Sequence, residues 1–242
     1  MKRIFSAILL AALCAATHIN AQTNDDPGRH VHRGFYFSIG TGLIYTSVSR
    51  SIEEKHIDGL YNEDASFSGI ISHDELRIGA SIANKASIFA ILGFSYGTGS
   101  YEDESKLTGD RDKQGSFEED GDEDYRFLFG VGGEFYPVRE EESPLYGFFF
   151  GISVGTVIDN VYYTDHSYDE VEKGETISSS FGNLFCRLEV GKEWWISRRW
   201  SVDIAISYSF GWIDAETGEN NGHVDTESSS SHTLGLALRI KH

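Results

Sequence analysis

Cysteine is almost absent from this 242-residue chain. Cys14 lies in an N-terminal apolar run, and once that run is set aside Cys186 stands alone. That excludes an intrachain disulfide and a CxxC metal site. Beyond that run, no apolar stretch approaches the roughly 20 residues a spanning helix requires. Basic residues are also scarce, with 20 Lys and Arg against 38 Asp and Glu and a net charge of −18. A nucleic-acid partner needs a basic footprint and is excluded. The only prolines are Pro27, Pro137 and Pro144.

What is present begins with "MKRIFSAILLAALCAATHINAQ". Lys2 and Arg3 form a charged start, Ile4 to Ala16 a short apolar core, and Ala21 a cleavage point, so residues 1–21 read as a secretory signal peptide. A cut after Ala16 also fits. Leu13 before Cys14 argues against lipid attachment at that cysteine. Residues 22–33 read as a tail, and 34–242 as one domain.

The acidic charge is segregated. Segments 49–65, 101–124, 164–178 and 214–228 hold 26 of the 38 acidic residues but only 6 of the 20 basic ones. Between them, apolar and polar residues alternate with period two, the signature of strands with one face in an apolar phase. Eight such stretches occur: "GFYFSIGTGLIYTS", "DELRIGASI", "SIFAILGFSYGTGS", "YRFLFGVGGEFY", "YGFFFGISVGTVI", "LFCRLEVGKEW", "SVDIAISYSFGW" and "HTLGLALRIKH". Three short connections alternate with the four acidic segments, which read as long loops. The parities around Ala83-Asn84-Lys85 favour an odd-length turn. Pro137 and Pro144 flank a short turn, where a missing N–H breaks no ladder bond.

The polar face separates a membrane barrel from a soluble barrel or sandwich. It is mostly Gly, Ala and Ser, with Glu75, Glu134, Glu189 and Asp203 opposed to Arg77, Arg126, Arg187 and Arg239. Small residues and matched charges suit the inside of an eight-stranded barrel, which side chains just fill. Position along adjacent strands predicts that Asp203 meets Arg239. The apolar face is bordered by Trp194, Trp195, Trp200, Tyr136 and Tyr146 toward the short turns, and by Tyr45, Tyr96, Tyr125, Tyr208 and Trp212 toward the loops. Aromatic girdles of this kind mark both boundaries of a transmembrane barrel. The last strand is then expected to pair with the first, because lipid leaves no room for an open edge.

With these features together, the chain resembles the OmpA/OmpX-like class of eight-stranded outer-membrane β-barrels. The resemblance spans residues 34–242 and is architectural. It implies an all-β, antiparallel up-and-down transmembrane barrel with a periplasmic tail at 22–33. Its setting would be outer-membrane lipid and lipopolysaccharide. It also implies that the final strand, through Gly235, Leu238, Ile240 and His242, addresses the barrel-assembly machinery; His242 replaces the usual Phe. No peptidoglycan-binding domain is expected. The extracellular partner is unspecified.

Three kinds of chemistry compete with a structural or surface-contact role. Asp110, Asp112, Gln114, Gly115, Phe117 and Glu118 follow the spacing of a calcium-binding EF-hand loop, but Gly121 stands where its bidentate Glu belongs. No cofactor is implied beyond weak divalent-cation binding by the acidic segments. Some barrels of this class deacylate lipid A, and Ser230 and His232 are the best nucleophile and base candidates here, without an acid to orient the histidine. A narrow pore is the third alternative, opposed by the interior charges. A soluble lipocalin-like carrier would be expected to bring a disulfide and a C-terminal helix, and neither is evident.

Overall fold

The computed structural model describes residues 34–56, 59–82, 85–109, 113–138, 140, 142–164, 176–197, 199–220 and 223–242. The signal peptide and tail read from residues 1–33 lie outside them. Eight strands follow in chain order: β1 (Gly34–His56), β2 (Gly59–Ile82), β3 (Ala86–Gly109), β4 (Lys113–Phe135), β5 (Phe148–Thr164), β6 (Thr176–Trp195), β7 (Ser201–Asn220) and β8 (His223–Lys241). Each pairs antiparallel with the next, and β8 closes on β1 through Ile39↔Ile240 and Leu43↔Leu236. His242 and Phe37 exchange both backbone hydrogen bonds at the seam. A closed sheet leaves no edge in its central belt.

The short-turn end matches the sequence. Ile82 pairs with Ala86 across a three-residue connection. Gly147 turns the chain into β5 with φ of 80°. A side chain there would be strained, and its Cβ would lie 2.3 Å from the Glu193 carbonyl oxygen.

The other end differs. The acidic segments 49–65, 101–124 and 214–228, expected as long loops, are mostly strand among the described residues: β1 pairs with β2 out to His56↔Gly59, and β7 with β8 out to Asn220↔His223. Most of 164–178 lies outside those residues. The sequence of these segments shows no apolar alternation, so they read as loops. Their backbones nonetheless find partners in the neighbouring strand. The eight strands, of 17 to 24 residues, are longer than the about 10 residues of tilted strand that a membrane crossing needs.

The pleat sends the two residue sets to opposite sides. Leu43, Ile70, Ile152, Ile206 and Leu236 all retain about half or more of their surface on the outside. The inside holds the charges, and with them large rings: Tyr36, Phe67, Phe89, Tyr101 and Phe149 are fully buried. Lumen glycines make room for these rings. A Cβ on Gly191 would lie 2.3 Å from the Phe149 ring, and one on Gly99 2.6 Å from Phe67. The lumen is therefore packed with aromatics as well as lined by small residues.

Candidate functional site: the charged lumen and the outer rim

All eight charges assigned to the interior are buried. Two pleat-mates join them: Glu193 from β6 and Lys241 from β8. In the half near the short turns they form one network. Arg77 donates from Nη1 to Glu134 at 2.7 Å and from Nη2 to Glu189 at 2.9 Å, and its Nε to Glu75. Arg239 reaches Glu189 and Asp203, both at 2.9 Å. Lys241 bridges Glu134 at 2.8 Å and Asp203 at 2.9 Å. Arg187 donates to Glu75 Oε2, the same oxygen that lies 3.4 Å from His73 Nε2. Charges this deep persist only when each is paired and hydrogen bonded.

Aromatic faces complete the network. The Arg77 guanidinium carbon lies 4.7 Å from the Phe89 ring centroid, and Lys241 Nζ 4.2 Å from that of Phe149. A desolvated cation over a ring gains about 2 kcal/mol. Tyr136, expected in the lipid-side girdle, instead turns inward. Its hydroxyl lies 2.8 Å from Glu134 Oε2 and 2.9 Å from Glu193 Oε2, so one proton is shared between two acceptors. It shares the inward parity of Glu134, which overrides its position beside the turn.

Further out, Arg126 of β4 donates to Asp159 of β5 and to Thr233 of β8. Asp124 lies within electrostatic reach of both Arg126 and Asp159. Two residues beyond Thr46, Val48 joins Ala65, Phe67 and Tyr101 in an apolar cluster across the lumen. Between the two polar layers remains a void of about 20 Å³, bounded by Arg126, Arg187 and His73, room for one water. Among the described residues, the charged network and buried rings occupy the inside of the sheet.

The sequence reading matched four acids to four bases. The lumen adds Glu193, Asp124, Asp159 and Lys241, so carboxylates outnumber cations there. Strand parity carries the missing signal: Glu193 keeps step with Glu189, Lys241 with Arg239, and Asp124 with Arg126.

Ser230 and His232 both sit on the outward face of β8, but they have separate partners. Ser230 Oγ lies 2.9 Å from Ser49 Oγ, and His232 Nδ1 lies 2.8 Å from the Tyr208 hydroxyl. No carboxylate orients His232, so the pair lacks the third member of a triad. Ser230 belongs to a polar concavity of about 850 Å³ on the outer wall, shared with Ser49, Ser66, Asp64, Trp212 and Asp214. Of the calcium-loop candidates, Asp110 and Asp112 lie outside the described residues. Glu118 stands in β4, paired with Glu102 of β3, and an extended ladder cannot curl around an ion as an EF-hand loop does.

The seams of the outer rim are unequal. The β6–β7 ladder ends at Leu184↔Trp212, although β6 continues outward to Thr176 and β7 to Asn220. The β4–β5 ladder ends at Glu123↔Tyr162. Above these points β7, β8, β1, β2, β3 and β4 form one tall sheet, and the β5–β6 hairpin stands apart.

No protein-family model matches the chain, and no curated protein is recognisably similar to it in sequence. Among solved structures it is similar to the outer-membrane protease OmpT from Escherichia coli, at 10% identity over 92% of this chain and 99% of that one, with a TM-score of 0.43. It is also similar to OprG from Pseudomonas aeruginosa, at 11% identity over 88% and 98% with a TM-score of 0.43. A third is Ail, the attachment invasion locus protein of Yersinia pestis, at 11% over 84% and 97% with a TM-score of 0.35. Independently of these likenesses, a closed eight-stranded antiparallel sheet with an apolar outer wall and a charged lumen has the features of a transmembrane β-barrel.

Proposed function

We propose that the chain spans the outer membrane as a sealed barrel and displays its acidic hairpins outside the cell, with a structural and surface-contact role. One observation carries the reading: a belt of half-exposed Leu, Ile, Val and Phe encircles a closed sheet that encloses an ion-pair network in its short-turn half. Exposed on that scale, the belt would aggregate in water; in lipid it is solvated, and the closed ladder pairs the crossing backbone groups strand to strand.

The short turns face the periplasm in this reading, and β8 serves the assembly machinery. Lipid and lipopolysaccharide surround the belt. The hairpins rise beyond the headgroups, with like charges opposed across strands, as at Glu102↔Glu118. Opposed carboxylates repel, so the hairpins take up divalent cations weakly. Deacylation lacks an acid beside His232, and conduction lacks a path through the lumen.

The test is electrophoretic migration of the membrane fraction with and without boiling. A folded barrel in the membrane pellet shifts in mobility on heating. A protein found in the soluble fraction, or one that does not shift, would defeat the reading.

A further inference from the structure

At one level of the outer rim, the outward face of the tall sheet carries a run of serines. The register sets Ser230 of β8, Ser49 of β1 and Ser66 of β2 side by side, and Ser228 beside Ser51 one pleat further out. The same two rows end in larger side chains. Trp212 and Asp214 of β7 flank Ser230 and Ser228, while Glu102 and Glu104 of β3 flank Ser66 and Asp64. A serine floor between taller walls makes the concavity of about 850 Å³ that these residues line. It lies across the middle of a continuous sheet, so its floor offers no free backbone edge.

The walls and floor differ in chemistry. Trp212 is half exposed and stacks on Phe210, with ring centroids 5.4 Å apart and planes at 15°. It stands as a fixed wall that offers an apolar surface and an indole N–H. On the floor, the Ser49 and Ser230 hydroxyls lie 2.9 Å apart, and a hydroxyl both donates and accepts. Asp64, Glu102, Glu104 and Asp214 line the concavity as ionised carboxylates, which only accept. Arg50, the basic residue in the lining, is already bound to Glu227 at 2.8 Å.

Shape and charge select the occupant. Trp212 and Glu102 are four strand spacings apart, roughly 19 Å at about 4.8 Å each. A metal ion at the β2–β3 end would leave the serine floor and Trp212 unused. Four carboxylates repel a phosphate or an acidic sugar, and a peptide strand finds no edge to extend. A linear polyamine satisfies the carboxylates but brings no hydroxyls to the floor. A chain of sugar rings bearing amino groups uses every feature. Its hydroxyls meet the serines, the apolar face of a ring meets Trp212, and its ammonium groups meet the carboxylates.

We infer that this trough binds a short amino-sugar oligosaccharide, laid across β7, β8, β1, β2 and β3. Ser49 lies four residues outward of Tyr45, at the rim of the apolar belt. In the membrane reading the trough therefore stands just outside the lipid, within reach of the sugar head of a glycolipid and of a free saccharide alike. The inference rests on the surface-contact reading above and names its site and ligand chemistry.

The experiment uses the full chain folded in phospholipid nanodiscs and a glucosamine trisaccharide, with binding read by calorimetry. Its controls are the fully N-acetylated trisaccharide, which keeps the rings without the charge, and spermine, which keeps the charge without the rings. Saturable binding of the glucosamine trisaccharide is expected, at least about tenfold tighter than either control. Trp212→Ala should weaken it by a similar factor. So should Ser49→Leu combined with Ser230→Leu, which fills the floor, while the heat shift on gels stays unchanged in both variants. Nanodiscs containing lipopolysaccharide then assign the source. Loss of trisaccharide binding there identifies a glycolipid head as the occupant, and undiminished binding a free saccharide. Spermine binding as tightly as the trisaccharide would reduce the interaction to charge alone and overturn the inference. So would equal binding of the N-acetylated sugar, full binding by the Trp212→Ala variant, or no binding. If the heat shift persists under any of those results, only the trough assignment fails. If the heat shift is lost, the membrane-barrel reading fails first.

Discussion

Asp203 and Arg239 face each other across the β7–β8 ladder, and the guanidinium holds one carboxylate oxygen from two nitrogens, Nε at 2.9 Å and Nη2 at 2.8 Å. Lys241 takes the other oxygen at 2.9 Å. Both members of the pair are fully out of solvent. Asp203→Ala leaves two buried cations short of a partner, and breaking such a pair costs about 3–5 kcal/mol. Unfolding in urea, followed by the loss of the compact gel band, should show that drop. A variant as stable as the parent would mean that the network does not hold the barrel together.

Gly191 and Phe149 test the packing of the same half of the lumen. A Cβ at 191 would lie 2.3 Å from the ring and 2.7 Å from the Ile204 carbonyl oxygen. Gly191→Ala should destabilise the barrel by about 1–3 kcal/mol through overpacking. Phe149→Leu alone should also destabilise, since it removes the ring beneath Lys241. The two changes touch one contact, so the double variant should lose less than the sum of the singles. Additive losses in the same unfolding assay would refute the contact.

Leu236 and Ser230 probe the outer wall at two heights on β8. Leu236 is 54% exposed and is flanked by Leu43 and Ile206. Arginine in the middle of a lipid-facing belt costs about 2–4 kcal/mol, and near the interface about 0–1. Leu236→Arg should therefore reduce folding efficiency into bilayers strongly, and Ser230→Arg hardly at all. Equal tolerance of the two would place both in water.

The filled lumen makes a prediction about transport. Wild-type protein in planar bilayers should show no resolved conductance steps, because the ion-paired layer and the buried rings of Tyr36, Phe89 and Phe149 occupy the interior. Regular, ion-selective steps would contradict the sealed interior.

The strands and their facing were legible because a barrel wall imposes a strict period of two between lipid and lumen. Leu234, Leu236, Leu238 and Ile240 on one side and Arg239 and Lys241 on the other already give the orientation of β8. The outer ladders were not legible, since their acidic residues follow no apolar period and such a sequence reads alike on a strand and on a loop. Tyr136 was misplaced because its neighbourhood to a turn was weighed above its parity with Glu134. Asp159 was missed because its stretch of β5 departs from the small-residue pattern of Gly151, Ser153 and Gly155. The unfinished β6–β7 ladder leaves no trace in residue types, because it depends on where two neighbouring strands diverge.

The most direct test of the account is a nitroxide scan along β7 from Val202 to Asp214 in lipid bilayers, reading collisions with oxygen and with an aqueous nickel chelate. The even-numbered positions Ile204, Ile206 and Tyr208 should collide with oxygen and be shielded from nickel, and nickel contact should appear by Asp214. Nickel contact at Ile204 and Ile206 equal to that at Asp214 would put the apolar wall in water and contradict the membrane barrel.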